Sequence, residues 1–570
     1  MKKPTWLAVS VLMVLAGWGV LLHGPGGPVA YAISPAEEYV LQQVKKGELA
    51  DLKRQFGEAE KSRTLSTRFV AALLTGEFKD LKIDRHGVRI AHALIAEPLD
   101  LEFAVVSCPV ELSNCQFLAP VTFKDCHFHK DLDLRGSHFH QDANCQFQAG
   151  INVFLQDVVF DGPARWAGAS VGAELIASGA RFNHDAFCPG LKVVRSAYFN
   201  NVIFQKQVNF FRAEIGEDLY LNKARLESCK IGALNFSGIS IGWNAYLDGA
   251  YFLGPVNLQG SQIGRLFSAI GTRFENWVDF SEADIGKANI GAQAVSEEER
   301  GALLKGVKFK GSVLIFDAHF SNLTIEGSAA RPVNISELKL VRTKVEGQTI
   351  LAKVTIADQA DFSDSRLQCL KIQNVIWPQQ KDAVVLNGME YQFIRAGEEG
   401  KDWPALIEWI GLSRFDTRNY KQLETYLQRS GYETEADKVY IMMKRRELEN
   451  RGLVGRWATR IFWDWLAGYG RRPSHIFLAS LVIFLTGTLV FKPEYAEGAQ
   501  KIYKDTVCYN IMARLVLSLD QFLPAINLGV AKDWHYQEMP AIVALYACLH
   551  RLSGYVLISI ALAALISSFK

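Results

Sequence analysis

The amino-acid sequence predicts a mainly β fold: a solenoid built of 11-residue half-coils, with helices before it and after it. Large apolar residues recur eleven residues apart, as at Phe252, Ile263, Phe274 and Ile285. Within each unit, apolar residues follow at the fourth and sixth positions and a small residue at the ninth. A fixed period of this kind is typical of repeat architectures, in which each unit buries its apolar face against its neighbours.

The composition of each unit decides between a helical and a β interpretation of the period. An eleven-residue repeat also suits a helix with about 3.67 residues per turn. Gly and Asn recur inside the units, however, and the pair Gly254-Pro255 would break a helix. Apolar residues at alternate positions instead indicate a short strand, and two units would form one coil of about 22 residues. The predicted core positions are Phe117, Phe128, Phe160, Phe182, Phe204, Ile215, Phe252, Ile263, Phe274, Ile285, Ile356 and Leu367.

Two stretches of the repeat, "VNLQGSQI" and "ADFSDSRL", resemble the pentapeptide-repeat family. That resemblance covers about residues 99–370 and implies a right-handed quadrilateral β-helix, here with one extra residue in every second side. The layout of the whole chain, with "FVAALLTGEF" and "LHRLSGYVLISIALAAL", resembles a bacterial group of membrane-anchored proteins, some labelled membrane-associated oxidoreductase. The sequence has no GxGxxG after a strand, no CxxC and no haem motif, so we predict no cofactor.

The first 32 residues have the features of a signal peptide. Lys2 and Lys3 precede an apolar run over residues 6–22, and Ala30-Tyr31-Ala32 suits a signal peptidase. The alternative is an uncleaved anchor helix, because such a run is just long enough to span a bilayer. Either interpretation exports the rest of the chain. Residues 33–98 are then predicted to form a helical N-terminal cap on the solenoid, which occupies residues 99–377.

Helices are predicted again after the solenoid. Residues 378–455 form a helical hairpin domain, which either caps the solenoid or acts as a single helical-repeat pair. Residues 456–570 form a membrane domain with transmembrane helices at about 474–491 and 552–568 and an amphipathic segment between them. Each of the two apolar runs is near the lower length limit for a spanning helix.

A basic segment with tryptophans precedes the first apolar run. Residues 438–472 carry a net charge of +6, from nine Lys/Arg and three Asp/Glu. Basic residues with interleaved tryptophans suit the lipid headgroup region, so we predict membrane lipids as partners and no nucleic acid. The predicted membrane-surface residues are Lys444, Arg445, Arg446, Arg456, Trp457, Arg460, Trp463, Trp465, Arg471 and Arg472.

Two rules disagree about the topology of the chain. The signal peptide places the solenoid outside the membrane, whereas the positive-inside rule places Arg471 and Arg472 inside. The signal peptide combines three features, and we therefore predict a protein of the bacterial inner membrane with a periplasmic solenoid.

Two His-x-His pairs are the metal candidates of the sequence. His127 and His129 flank the inward Phe128, so both imidazoles are predicted to point outward, where such a pair suits zinc or copper. His138 and His140 repeat the pattern half a coil later, and we expect no convergence of the two pairs. Polar surface histidines are the more common meaning of such pairs.

The nine cysteines fit packing positions better than chemistry. Cys115 and Cys126 occupy the small corner position of the repeat, and Cys145 occupies a strand position. Disulfides of an exported protein are the alternative, but Cys115 and Cys126 lie on opposite sides of the predicted coil and are not expected to bridge each other.

The segment between the two apolar runs resembles, by layout alone, that of two-helix pore-loop channels. It is predicted to form an amphipathic helix up to Phe522, and Asp520 is the pore candidate because polar residues at membrane depth are often functional. "LPAINLG" lacks a glycine-rich filter of the TVGYG type. His550 and Arg551 are predicted at the headgroup boundary of the last span; they lie within the membrane if residues 541–549 are also embedded.

These observations favour a non-enzymatic, membrane-anchored solenoid that acts as an envelope scaffold or protein-interaction module. The predicted partner is an envelope protein or polysaccharide. A small pore-loop-like ion channel with a solenoid sensor domain is the first alternative. An enzyme acting on envelope polysaccharide is the second, although no nucleophile, base or phosphate motif supports it.

Overall fold

The computed structural model describes residues 33–228, 234–286, 301–305, 307–309, 311–328, 332–397, 399, 401–449, 473–497, 499–500, 509–523, 528 and 539–568. It confirms the mainly β prediction. Parallel strands build a solenoid in each of two compact units, Met1–His184 and Asp185–Lys570. The signal peptide predicted over residues 1–32 lies outside the described residues.

The first unit begins with helices. These are α1 (Pro35–Lys46), α2 (Leu52–Phe56) and α3 (Thr67–Leu74), with a 3-10 turn at Glu60–Arg63.

One buried carboxylate joins the start of α1 to the start of α3. Ser34 and Glu37 form a capping box at the start of α1. The Glu37 carboxylate also accepts hydrogen bonds from the backbone N–H and the Oγ of Ser66, the N-cap of α3. A buried charge is tolerated here because several donors surround it.

The solenoid of the first unit is made of short parallel strands, and almost all of them have two residues. Four ladders run through it: β3-β7-β11-β15-β19, β4-β8-β12-β16, β5-β9-β13-β17 and β1-β2-β6-β10-β14-β18. The strands are β1 Ala50–Asp51, β2 Val88–Ala91, β3 Leu94–Ile95, β4 Leu99–Asp100, β5 Val105–Val106, β6 Val110–Ser113, β7 Gln116–Phe117, β8 Val121–Thr122, β9 His127–Phe128, β10 Leu132–Asp133, β11 His138–Phe139, β12 Ala143–Asn144, β13 Gln148–Ala149, β14 Val153–Phe154, β15 Val159–Phe160, β16 Ala164–Arg165, β17 Ser170–Val171, β18 Leu175–Ile176 and β19 Arg181–Phe182.

The ladders have a coil repeat of 21 or 22 residues. Leu94 pairs with Gln116, and His127 pairs with Gln148. Backbone residues with positive φ recur eleven residues apart, at His92, Phe103 and Asn114. The eleven-residue sequence period therefore has a backbone counterpart, a left-handed turn residue in every unit.

An aromatic column fills one side of the core of the first unit. Phe117, Phe139, Phe160 and Phe182 are buried. Consecutive rings stack with centroids 4.5, 4.9 and 5.0 Å apart. Stacked aromatic side chains bury a large apolar area and lock the register of the strands that carry them.

The second unit continues with the same kind of short strand and then changes. Its strands are β20 Ala186–Phe187, β21 Lys192–Val193, β22 Ala197–Tyr198, β23 Ile203–Phe204, β24 Val208–Asn209, β25 Glu214–Ile215, β26 Leu219–Tyr220, β27 Arg225–Leu226, β28 Leu234–Asn235, β29 Ser240–Ile241, β30 Asn244–Tyr246, β31 Tyr251–Phe252, β32 Val256–Asn257, β33 Gln262–Ile263, β34 Leu266–Ser268, β35 Arg273–Phe274, β36 Val278–Asp279, β37 Asp284–Ile285, β38 Gly301–Lys305, β39 Lys308–Phe309, β40 Val313–Phe316, β41 His319–Phe320, β42 Leu323–Glu326, β43 Val333–Val341, β44 Lys344–Ala352, β45 Val354–Asp361, β46 Arg366–Gln373, β47 Val384–Val385 and β48 Glu390–Ala396.

Two ladders of the second unit merge at β44. Its first residues pair with β41 through Val345, and its later residues pair with β42 through Thr349. One nine-residue strand thus takes the place of two short ones, and β43, β45 and β46 have similar lengths.

Strands extend beyond residues 99–377 at both ends. At the start, β2 pairs with β6 through Val88 and Ile90, because "VRIA" already places apolar side chains at alternate positions. At the end, β48 pairs with β46, although Pro378 and the charged residues after it interrupt the apolar pattern.

Six helices of the second unit are described. They are α4 (Trp403–Leu412), α5 (Thr417–Arg429), α6 (Glu433–Glu449), α7 (Pro473–Val490), α8 (Tyr509–Phe522) and α9 (Ala541–Ser568). The loop between α5 and α6 turns at Gly431, whose positive φ (81°) suits glycine. The last helix begins eleven residues before the predicted start at 552.

Candidate functional site

The predicted repeat positions all point into the solenoid. The twelve side chains from Phe117 to Leu367 that define the period are buried. They account for the fold and leave the outward positions of the strands to carry any chemistry.

The two His-x-His pairs differ in what the next coil places beside them. His127 and His129 are exposed, and Gly150 follows the strand that pairs with theirs. His138 and His140 flank the buried Phe139, and Asp161 follows the paired strand β15. His138, His140 and Asp161 form the one group of metal-binding type found among the described residues, with ligand atoms within 4.8 Å of one another.

One carboxylate oxygen faces both imidazoles of this group. Asp161 Oδ2 lies 2.7 Å from His138 Nε2 and 3.5 Å from His140 Nδ1. The two rings lie 3.8 Å apart between centroids. Asn183, on the next coil, donates its Nδ2–H to Asp161 Oδ1 at 2.7 Å. The carboxylate is therefore fixed from one side and open to the histidines on the other.

Local electrostatics favour an ionised carboxylate beside a neutral imidazole. Burial opposes ionisation of Asp161, but hydrogen bonds from Asn183 and His138 outweigh it and lower the pKa of the carboxyl. Burial, followed by the nearby His138, lowers the pKa of His140. Both groups therefore have the protonation state that metal ligands require near neutral pH.

Sequence reasoning missed Asp161 because it lies 21 residues after His140. Residues that directly follow the stacked phenylalanines share one outward column: Leu118, His140, Asp161 and Asn183. Aligning the coils by their inward phenylalanines would have found the carboxylate.

The cysteines described in the first unit behave as packing residues. Cys115 and Cys126 are free, buried thiols. Burial raises the pKa of each to about 12, so neither is ionised at neutral pH.

A groove lies beside the last coils of the second unit. It has a volume of about 1120 Å³ and is lined by β44, β46 and β48 on one side and by α5 on the other. Lys344, Arg366 and Lys421 contribute positive charge, and the half-exposed Phe393 contributes an apolar floor.

Helices α7, α8 and α9 are packed with reversed polarity. Phe477, Leu489 and Ile542 on the outside are 72%, 78% and 81% exposed. Ser518, Gln521 and His550 are buried among the helices. Helices in contact with lipid expose apolar side chains in this way, because lipid tails are themselves apolar.

One helical segment among the described residues, Ala541–Leu562 of α9, is long and apolar enough to cross a membrane, judged by length and composition. The core helix of a soluble protein can pass the same test, but such a helix is mostly buried. Here 22% of the most apolar stretch is buried. Helix α7 falls short of the length criterion, so the second span stays a prediction.

His550 joins α9 to α8 through polar contacts. Its Nε2 lies 3.3 Å from Ser518 Oγ and 3.2 Å from the Ser518 carbonyl oxygen, and its Nδ1 lies 3.3 Å from Tyr546 Oη. Gly554 allows close approach of the same helices, because a Cβ there would lie 2.0 Å from the carbonyl oxygen of Phe522. His550 and Arg551 both fall inside the candidate span rather than at its boundary.

The predicted pore residue and the basic residues have local partners where they are described. Asp520 Oδ1 accepts a hydrogen bond from the backbone N–H of Leu528 at 2.6 Å. Arg446 donates to the carbonyl oxygens of Gly411 and Ser413, so its charge is directed into the helical hairpin.

Lys444 pairs with Glu447 at 2.8 Å. The predicted lipid contacts at Arg456, Trp457, Arg460, Trp463, Trp465, Arg471 and Arg472 lie outside the described residues.

Comparison with known proteins adds no relative to this picture. No protein-family model, no curated protein and no solved structure matches the chain.

Proposed function

We propose that the protein is a membrane-anchored solenoid that serves as an envelope scaffold, held at the inner membrane by α7 and α9 with its solenoid in the periplasm. The observation that carries this proposal is the reversed polarity of α7–α9, where apolar side chains face outward and His550 faces inward. A soluble domain would bury the apolar side chains, whereas lipid stabilises them on the surface.

The finer architecture belongs to the same proposal. We take each coil as two 11-residue halves of a right-handed quadrilateral β-helix, similar to pentapeptide-repeat proteins. The four ladders of the first unit and its left-handed residues at intervals of eleven support this cross-section. Such a coil presents flat outward faces with a fixed spacing between side chains, which suits extended partners.

The groove beside α5 is the surface that we assign to a partner. Its lining combines Phe393 with Lys344, Arg366 and Lys421, while Glu346 and Glu390 add two acidic groups. Mixed charge around an apolar floor is typical of protein-binding surfaces with a polar rim. The proposed partner is therefore an envelope protein, with an envelope polysaccharide as the other possible outcome of the test.

Protease digestion of intact spheroplasts tests the anchor and the topology together. Externally added protease should release the solenoid while α9 stays in the membrane. Protection until the cells are lysed would overturn the periplasmic placement. Recovery of the full chain in the soluble fraction would overturn the anchor.

Photo-crosslinking tests the groove. A photoreactive phenylalanine analogue at Phe393 should give one discrete adduct in intact cells, and Arg366→Glu should abolish it. The same analogue at Ile376, which is 61% exposed and does not line the groove, serves as the control. Equal adducts at both positions would contradict a specific surface. A protease-sensitive adduct identifies a protein, and a glycosidase-sensitive one a polysaccharide.

A small ion channel is the second candidate, supported by the position of His550 and Arg551 inside the candidate span. Ionisable residues within a membrane often mark ion pathways. Purified protein in proteoliposomes should then carry an ion flux that Asp520→Asn or His550→Gln reduces. A flux equal to that of empty liposomes would exclude this function.

A further inference from the structure

We propose that His138, His140 and Asp161 bind a divalent first-row transition metal ion, with zinc as the first ion to test. Two imidazole nitrogens and one carboxylate oxygen are ligands that zinc and its neighbours accept. The proposal does not depend on the scaffold function, because it concerns side chains of the first unit alone.

The strand geometry aims both imidazoles at one side. His138 and His140 are two residues apart on an extended segment, so their side chains project from the same face. Phe139, between them, is 1% exposed and stacks on Phe117 and Phe160. Because that ring is locked into the core, the backbone that carries both histidines is fixed in direction.

The neighbouring coil supplies the carboxylate in register. Phe139 pairs with Phe160, and the backbone N–H of Asp161 donates to the carbonyl oxygen of Phe139 at 2.9 Å. The two ligand-bearing segments are therefore joined by a ladder hydrogen bond beside the site. The hydrogen bond from Asn183 to Asp161 Oδ1 then turns Oδ2 towards the histidines, as outer partners of metal ligands do.

The distances fit a small ion after minor side-chain rotation. Ligands about 2.1 Å from a tetrahedral zinc ion lie about 3.4 Å apart. The candidate atoms lie within 4.8 Å of one another, and His138 Nε2 is already 2.7 Å from Asp161 Oδ2. Rotation about the χ angles is enough to open a space between them.

The charge state and exposure also favour an ion. Asp161 is the carboxylate that the two rings share, and a metal ion would replace their hydrogen-bonding proton. His140 Nε2 is buried and has no hydrogen-bond partner among the described residues. The three side chains keep 33%, 33% and 37% of their surface exposed, so an ion can enter and keep an open position for water or an anionic ligand.

The chain contains its own control for this site. His127 and His129 have the same spacing around the buried Phe128 and lie half a coil earlier. The residue that corresponds to Asp161 on their neighbouring coil is Gly150, which offers no ligand. The two pairs therefore separate the effect of a His-x-His pattern from the effect of a three-residue site.

Calorimetric titration of the detergent-purified full chain with zinc after chelator treatment tests the proposal. The wild type and H127A/H129A should bind one zinc ion with equal affinity. H138A/H140A should bind it more weakly by at least the roughly 10–100-fold that loss of an outer partner costs. Asp161→Asn should weaken binding by about tenfold or more. Equal zinc affinity in the wild type and H138A/H140A would overturn the proposal.

A second measurement uses the wild type alone and is independent of variant folding. Hydrogen–deuterium exchange at the imidazole C2 carbon, read by mass spectrometry, reports each histidine separately. Zinc should slow exchange at His138 and His140 and leave His127 and His129 unchanged. Unchanged exchange at His138 and His140 in saturating zinc would overturn the site even if the chain binds zinc elsewhere.

Discussion

The solenoid and the helices α7–α9 place the same residue types in opposite positions. In the solenoid Phe252 is 1% exposed, whereas in α7 Phe477 is 72% exposed. Histidine reverses as well: His138 keeps a third of its side-chain surface exposed, and His550 keeps 1% of its residue surface exposed. The contrast teaches that burial follows from the surrounding medium rather than from residue type, and that two media act on this chain.

The two regions also differ in how their backbones approach each other. Solenoid coils meet through ladder hydrogen bonds, with side chains stacked by the repeat. Helices α8 and α9 meet through a glycine, because Gly554 faces the carbonyl oxygen of Phe522. Small residues at helix contacts are typical of bundles in lipid, where no hydrophobic effect drives helices together.

Breaking the apolar interior of the solenoid should have the largest effect. Phe252→Asp places a carboxylate where Phe252 stacks on Phe274 at 5.3 Å. We expect the free energy of unfolding to fall by about 4 kcal/mol or more, from lost packing and an unpaired buried charge. Thermal unfolding followed by circular dichroism checks this. Phe103→Asp is the control, because Phe103 is exposed and Asp tolerates its positive φ; equal melting of both variants would contradict the core register.

Exchanging polarity on the outer surface of α7 and α9 should have the next effect. Val482 and Leu552 are more than half exposed. In V482D/L552D each carboxylate should make membrane insertion less favourable by about 3 kcal/mol. The fraction of protein that resists alkaline carbonate extraction should fall, while V482L/L552I should remain in the membrane. Equal retention of the two variants would show that these faces do not contact lipid.

Filling the contact between α8 and α9 should cost less. Gly554→Ala places a Cβ 2.0 Å from a backbone oxygen, and the helices must move apart. We expect a loss of about 1–3 kcal/mol in the stability of the detergent-solubilised chain. The same change at Gly411 meets only Met442 at 3.6 Å and should be neutral or stabilising. A tolerated Gly554→Ala would indicate that the two helices are not in close contact.

The smallest effect is expected from a buried polar group of the solenoid. Ser137 Oγ donates to the carbonyl oxygen of Leu112 at 2.7 Å and accepts from the backbone N–H of Cys115 at 2.9 Å. Ser137→Ala leaves both groups without this partner and should lower the free energy of unfolding by about 1–2 kcal/mol. Ser170→Ala, on the half-buried side of β17, should change it by less than about 0.5 kcal/mol. Denaturant titration distinguishes the two, and equal midpoints would contradict a structural role for the Ser137 hydroxyl.

Periodicity explains which parts of the fold could be predicted. The inward positions from Phe117 to Leu367 follow from the eleven-residue spacing, since each unit repeats the same local environment. The bounds of the strands were less accessible, because Pro378 and neighbouring charges interrupt the pattern before β48 resumes it. The start of α9 was also missed, because His550 and Arg551 interrupt the apolar run and their burial and contacts are not visible in sequence.

The candidate metal centre was half predictable. The outward direction of His138 and His140 follows from the inward Phe139. Their advantage over His127 and His129 does not, since the two pairs have the same spacing and differ only in what the neighbouring coil brings beside them, Asp161 or Gly150.

The sequence by itself determined the solenoid, its inward side chains and the apolar character of the last helices, because each of these depends on residue type and spacing along the chain. Only the tertiary structure decided the coil register that joins His140 to Asp161. It also decided the packing that buries His550 between α8 and α9 and the hydrogen bonds that direct Arg446 into the hairpin. Each of these contacts joins residues far apart in the chain, and its geometry depends on how coils and helices stack rather than on any local pattern.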